Sequence, residues 1–519
     1  MYIGKIYSKI LLVLILNLFT VAILFSQASS NSNKLISVNI PEQKQFNSLY
    51  SDFFSGFNAS SKPLFINDTI FKNGKLFYDD TEYNIRSSVW RPVVLTTGVN
   101  VLTWSVDRFI TRSSYSKVGL KSWKYNLTHD WVWDTDPFQV DFLGHPFSGA
   151  MFFNTARSSG YSFVQSFPFA VFGSVQWKYF GENDLPTIND LITTSVSGTA
   201  YGEMLYRLSS NILDDTKVGS ERVFREIFAG IIDPVRGINR LLQGRTFRVT
   251  SKEIYQKEPL TISIGGGIQK LNKVTSFGTG LTSELVSLSL VYGDPFEKRK
   301  RKPFDFFESK IVLDNGDVIG KSFVDNLSAY GLLFGKNAQP GKMKMLIGIF
   351  QHYDYFDNSI FELGNLFFSG GIISKLPLGQ KSFLNTNLHL GLVPFGGYSI
   401  KPGPDTAPFR DFNYGGGAGA KIESTLDFRN FVNINIFASY YWMDTYSGIK
   451  ENNFIGIFKP TILFRVYKNM QLGFQYFVYT NDKFAETVHT SNLRSSEQKF
   501  VLLFNIGNNN SLPKSLKHS

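Results

Sequence analysis

The chain contains no cysteine, which removes disulfide staples, thiolate metal sites and a cysteine nucleophile together. It also removes a lipoprotein anchor, whose lipid is carried on a cysteine at the cleavage point. Charge is scarce as well: Asp, Glu, Lys and Arg make up 18% of 519 residues, against 16% aromatics, with 50 Phe and 24 Tyr. That balance suits an apolar outer surface girdled by rings better than a water-soluble enzyme. Beyond residue 28 there is no apolar run long and charge-free enough for a transmembrane helix.

The net charge of +11 raises the question of nucleic acid, but there is no recognition motif to support it. The positive charge is better matched to outer-membrane lipid head groups or to periplasmic envelope components as partners. The first 27 residues read as a secretory signal. Lys5 and Lys9 give a basic start, the apolar run 10–25 follows, and Ser26-Gln27-Ala28-Ser29 offers a place to cut. A retained anchor helix is the alternative, because the run approaches a bilayer span.

From about residue 260 the dominant period is two. Leu384, Leu388, Leu390 and Leu392 alternate with Asn385, Asn387 and His389. Val432, Ile434, Ile436, Ala438, Tyr440 and Trp442 share one face, opposite Asn433, Asn435 and Ser439. Leu472, Phe474, Tyr476 and Val478 oppose Gln471, Gly473 and Gln475. Alternation over about ten residues is what a tilted strand needs between lipid and lumen. About twelve such segments lie between 260 and 507, the length of an antiparallel transmembrane β-barrel. Short connections near 336–341, 376–381, 427–430 and 467–469 alternate with long stretches at 395–414, 443–453 and 481–498. Bacterial barrels keep short turns in the periplasm, so both barrel ends are expected there. A soluble β-sandwich also alternates, but it does not need ten-residue strands with rings on the outer face.

The expected division is a signal peptide at 1–27, a linker at 28–87 with short strands around 64–78, a helical domain at 88–246, the barrel at 247–507 and a disordered tail at 508–519. In the helical part, Pro146, Pro186 and Pro234 sit where first turns begin. Gly198 and Gly202, four apart, let another backbone approach one helix face. The strings WVWDTDPF (131–138), HPFSGAMFFNTAR (145–157), WKYFGE (177–182), PTINDL (186–191), GEMLYR (202–207) and DPVRG (233–237) occur in order. Together they resemble an uncharacterised family of Gram-negative envelope proteins, catalogued as a domain of unknown function. That resemblance covers about 85–250 and implies an outer-membrane setting, with no assigned activity. The order His145, Glu182, Asn189-Asp190 and Gly198 is also similar to the skeleton of VanZ-like membrane proteins.

His145, Glu182, Asp190 and Glu203 are the acid–base candidates, since an imidazole with carboxylates is the minimum set for proton transfer. The bland alternative is a buried network fixing helix register, with Glu203 pairing Arg207 at i, i+4. Asn189, Arg157 and Arg207 are candidate binding groups, and Trp131 and Trp133, with Phe152, Phe153 and Phe167, line either a lipid groove or an ordinary core. His129, Asp130, Asp134, Asp136, Asp141 and His145 include ligand types suited to a divalent ion, but at no known ligand spacing. No metal and no other cofactor is expected. Ser148 lacks a nucleophile elbow. His389 reads as part of a polar lumen lining, and the run 297–302 as a basic periplasmic turn at head-group level. The favoured function is a structural or transport barrel whose helical domain gates or scaffolds it, docked beneath it or plugging its lumen. The alternative is an envelope enzyme acting on lipid or cell-wall material.

Overall fold

A computed structural model describes residues 71–72, 75–76, 86–133, 136–272, 277–315, 323–358, 361–379, 381–400, 412–448, 450–485 and 493–507. The signal segment and the tail lie outside the described residues. The chain forms two compact units: Met1–Val132 with Pro146–Lys257, and Trp133–His145 with Glu258–Ser519.

In the first unit a small antiparallel hairpin, Phe71–Lys72 with Lys75–Leu76, precedes the helices. These are α1 (Trp90–Ser105), α2 (Leu120–Thr128), α3 (His145–Arg157), α4 (Phe163–Phe180), α5 (Ile188–Ile192), α6 (Gly198–Ile212), α7 (Gly219–Ile232) and α8 (Pro234–Leu242). Their ends follow local chemistry. The Ser162 hydroxyl accepts from the Gln165 amide while the Gln165 side chain accepts from the Ser162 amide, a reciprocal cap on α4. Asp233 caps α8 by accepting from the Arg236 amide at 3.0 Å, with Pro234 in the first turn. The small-residue stripe on α6 works as its spacing predicts. A Cβ on Gly198 would stand 2.5 Å from the Gly149 backbone, so α3 and α6 cross with nothing between them.

The second unit is a closed barrel of twelve antiparallel strands. They are β1 (Leu260–Asn272), β2 (Leu281–Tyr292), β3 (Phe307–Asp314), β4 (Val324–Ala338), β5 (Lys344–Asp357), β6 (Phe361–Gly379), β7 (Ser382–Ile400), β8 (Phe412–Phe428), β9 (Val432–Ser447), β10 (Glu451–Tyr467), β11 (Met470–Ala485) and β12 (Leu493–Gly507). Each pairs with its sequence neighbour, and β12 returns to β1 with Ile264 opposite Phe504, so no strand edge is left open. All twelve fall where the alternation puts them. At the end where β1 starts and β12 finishes, the turns at Lys381, Arg429, Asn430 and Lys468 are tight enough to need positive φ. The outer face is an apolar belt: Ile268, Phe334, Leu390, Leu392, Trp442, Phe464, Leu472 and Phe500 are all exposed. Exposed aliphatic and aromatic residues on every second position are the mark of a membrane-spanning wall.

Many strands run longer than the pattern suggests. β7 and β8, for instance, continue through Phe395, Tyr398 and Tyr414 to the far rim. On β5 to β8 the extra length is covered by the segment Trp133–His145, which belongs to the barrel unit. Tyr353 and Tyr355 share the face of β5 that carries the exposed Ile347 and Ile349. The Tyr353 hydroxyl donates to the Phe142 carbonyl, and the Tyr414 hydroxyl donates to Asp141 at 2.5 Å. Phe138 stacks on Tyr355 at 5.5 Å, and Trp133 lies 5.4 Å from Tyr414. Phe142 sits over two glycines; a Cβ on Gly364 or Gly397 would come within 2.3 or 2.6 Å of its ring. This stretch therefore lies against the outside of the wall, not in the lumen.

Candidate functional site

Residues that alternate away from the belt fill the lumen. Toward the far rim Leu363, Phe367, Tyr441, Met443, Ile455 and Tyr479, from four strands, pack into one buried apolar cluster. Below it, toward the end holding the barrel termini, lies a cavity of about 340 Å³. Four lysines (Lys310, Lys421, Lys459, Lys499) and four carboxylates (Glu308, Asp325, Asp354, Glu423) are among its lining residues. Lys421 pairs with Asp354 at 2.7 Å, and the Tyr441 hydroxyl donates to the same carboxylate at 2.8 Å. Lys499 lies 3.1 Å from Asp325 and 3.2 Å from Glu497. Lys459 rests over the Phe437 ring at 4.9 Å. His389 is indeed in the lumen, but it is not alone. The Ser369 hydroxyl lies 2.9 Å from His352 Nε2 and 3.1 Å from His389 Nδ1. With one proton it donates to one ring and accepts from the other.

The basic turn 297–302 joins β2 to β3 at the same end of the barrel. Arg299 is tied down there, at 2.6 Å from Glu258 and 3.3 Å from Asp305. Lys298 and Lys300 stay exposed.

The helical unit holds three buried ion clusters. In the first, Lys178 on α4 reaches Glu182 at 2.6 Å and also contacts Asp190 on α5. Asn189 donates to Asp190 at 2.8 Å, and Trp177 donates to Glu182 at 3.0 Å. Burial alone pulls the Lys178 ammonium down, but the two carboxylates outweigh it and hold the group above the ordinary lysine range. In the second, Glu203 on α6 is fully buried between Arg157 at 2.7 Å and Arg207 at 2.9 Å. The Arg157 guanidinium also lies 4.2 Å over Tyr206. The third centres on Asp215, within 3.0 Å of Arg222, Arg240 and Arg248. Burial pushes the Asp215 carboxyl up, and the three guanidiniums overcome this to leave it below the usual range.

Among the acid–base candidates, then, Glu182 and Asp190 meet through Lys178, while Glu203 stands in a separate cluster with Arg157 and Arg207. His145 belongs to the barrel unit, where its Nε2 lies 4.0 Å from Asp136. Trp131 donates to the Tyr179 hydroxyl at 3.0 Å in the helical unit, and Trp133 packs on the barrel wall. Of the remaining ligand candidates, His129 bonds the Tyr125 carbonyl at 2.8 Å, Asp130 is exposed, and Asp134 lies outside the described residues. Sequence reasoning missed Lys178, though it left a signal: it is the lone charge in an otherwise uncharged eighteen-residue helix. The Asp215 cluster was missed as well; its arginines Arg222, Arg240 and Arg248 come from separate elements and meet only in the fold.

A sequence profile described as a domain of unknown function (DUF3943) matches residues 130–235. That stretch contains Trp133–His145 and all three Glu and Asp candidates. No curated protein matches the chain. Among solved structures, the outer membrane channel DcaP of Acinetobacter baumannii is similar at 6% identity and TM-score 0.23, over 48% of this chain and 96% of that one. A COG4313 outer membrane channel from Pseudomonas putida F1 reaches 12% and 0.26, over 48% and 97%. The Pseudomonas putida toluene transporter TodX reaches 9% and 0.22, over 49% and 90%. Overlap this loose says nothing of what the present barrel carries. By its own geometry the chain is a twelve-stranded transmembrane barrel preceded by helices, and its helical part bears the signature of a domain whose function is unassigned.

Proposed function

We propose that this is an outer-membrane barrel shut at rest, a scaffold for the helical unit and not a standing pore. The observation that carries the reading is the apolar layer of Phe367, Tyr441, Met443 and Tyr479 across the lumen. A conducting channel needs continuous water, and buried rings at van der Waals contact exclude it. The exposed belt, the cysteine-free composition and the signal-like start support the outer membrane as location. The chain enters the barrel unit at Trp133, leaves it at His145 and returns at Glu258. Three covalent crossings of this kind suit a scaffold.

A second reading has its own observation. Lys310 and Lys459 line the polar chamber with no carboxylate in salt-bridge range among the described residues. The two ammoniums would favour a small anionic solute in the chamber, and transport would then require the layer above to part. The enzyme reading, with its VanZ-like order of His145, Glu182, Asp190 and Gly198, is less favoured because Glu182 and Asp190 are both already engaged by the Lys178 ammonium. Planar-bilayer recordings of the full chain separate the first two. The scaffold predicts silence from the wild type and steady current once Phe367, Tyr441 and Met443 are all replaced by Ala. Steady ohmic conductance from the wild type overturns it.

A further inference from the structure

We propose that the helical unit is solvated by lipid, its outer helix faces resting in hydrocarbon and residues 108–125 at the head groups. The observation is an inverted polarity, repeated helix by helix. On α8, Ile238, Leu241 and Leu242 face outward while Arg236, Asn239 and Arg240 are buried. On α7, Phe224 and Ile227 are exposed and Arg222 is buried, with the surface ions Glu221 and Arg225 confined to its first two turns. On α1, Trp90, Val94, Val101 and Leu102 are exposed, and Thr96 and Asn100 are buried. On α4, Val164, Phe167 and Phe172 face out, and Ser166, Ser174 and Lys178 face in.

Water-soluble helices place charge outside and carbon inside. Here the buried faces carry the ions and the serines, and the surface carries rings and aliphatics, as lipid solvation requires. Between residues 92 and 105 on α1, and between 163 and 177 on α4, no side chain is charged. The inversion occurs on two helix pairs, α1 with α4 and α7 with α8. One protein partner seated on one patch would not call for that.

The rim supplies the second observation. After Trp104 at the end of α1 come Arg108, Arg112, Lys117, Lys121 and Lys124, with Trp123 and Tyr125 among the last of them. Arg112, Lys117, Lys121, Lys124 and Tyr125 are exposed. Trp104 donates to the Ser116 carbonyl and Trp123 to the Phe180 carbonyl, each at 3.0 Å. Cations with amphipathic rings are the pairing found where hydrocarbon meets phosphate. No described helix is long and apolar enough to cross a membrane, so the lipid lies along the flanks of the helices, which need not span it.

Because the chain lacks cysteine, single-cysteine variants label at one place each. Val101→Cys, Phe172→Cys, Phe224→Cys and Leu241→Cys, with Lys121→Cys as the rim control, carry an environment-sensitive fluorophore in full-length protein in phosphatidylcholine–phosphatidylglycerol vesicles. Lipids bearing a nitroxide on the acyl chain should quench the four apolar sites severalfold, while aqueous iodide leaves them unchanged; at Lys121 iodide should be the stronger quencher. Iodide reaching the four sites would show water there and overturn the proposal. Shielding from both quenchers would show a protein covering them and overturn it equally.

Discussion

Replacing Glu203 by Ala is the sharpest probe of the helical unit. The carboxylate is fully buried, holds Arg157 at 2.7 and 3.2 Å and Arg207 at 2.9 Å, and is the shared counter-charge of both. Removing one partner of a buried ion pair costs about 3–5 kcal/mol, since the remaining charge keeps its desolvation penalty. Arg157 keeps its bond to the Tyr161 carbonyl at 3.1 Å and its stacking on Tyr206, so the lower half of that range is expected. A domain is stable by about 5–15 kcal/mol in all, and the loss would be a large fraction of it. Hydrogen exchange by mass spectrometry on the full chain gives the readout. Amides of α3 and α6 should exchange about two to three orders of magnitude faster, at 1.36 kcal/mol per tenfold, with the barrel strands unchanged. Replacing Arg157, Glu203 and Arg207 together by Met, Leu and Met should restore protection, because a well-packed apolar set commonly equals a buried ion cluster. Unchanged exchange in Glu203→Ala, or no recovery in the triple variant, refutes the structural role given to this cluster.

Two other perturbations address single contacts. Gly364→Val places a Cβ 2.3 Å from the Phe142 ring; overpacking of this kind costs about 1–3 kcal/mol. Protease should then cut 133–145 faster, whereas Gly370→Val, whose nearest neighbour is 4.0 Å away, should leave the cutting rate unaltered. Asp233 is pushed by burial from 3.8 up to about 6, against its bond from the Arg236 amide. Since the folded value is the higher one, its stabilising share is present below about pH 4 and lost as pH rises through 6. Asp233→Asn keeps the cap and should flatten the unfolding midpoint of α8 between pH 4 and 6; a slope equal to that of the wild type contradicts this assignment.

The strands were legible wherever one face meets lipid and the other the polar lumen, as from Leu388 to Leu392. Legibility ends where Trp133–His145 covers the wall. There Tyr353, Phe395 and Tyr414 are buried from outside while Asp354, Tyr398 and Met443 are buried from inside, so the period-two signal disappears. A register shift near Val393 blurs it further. The same segment escaped the domain division because sequence adjacency to α3 hides a partner two hundred residues away. In the helical unit, the motif strings picked Glu182, Asp190, Glu203, Arg157 and Arg207, and the i, i+4 spacing paired Glu203 with Arg207, but nothing in them joined Arg157 to Glu203 or Glu182 to Asp190. That Lys178 joins two of them is visible only once α4 and α5 are packed.

The ring closure can be tested at its seam. Ile264→Cys with Phe504→Cys sets two thiols directly opposite on β1 and β12, within reach of a disulfide. Oxidation of the protein in vesicles should give a cross-linked species of altered mobility on a denaturing gel. The pair Ile264→Cys with Phe500→Cys, about 14 Å off register, should not. Absence of the first cross-link, or equal yield from both pairs, would mean that β1 and β12 are not neighbours in this register.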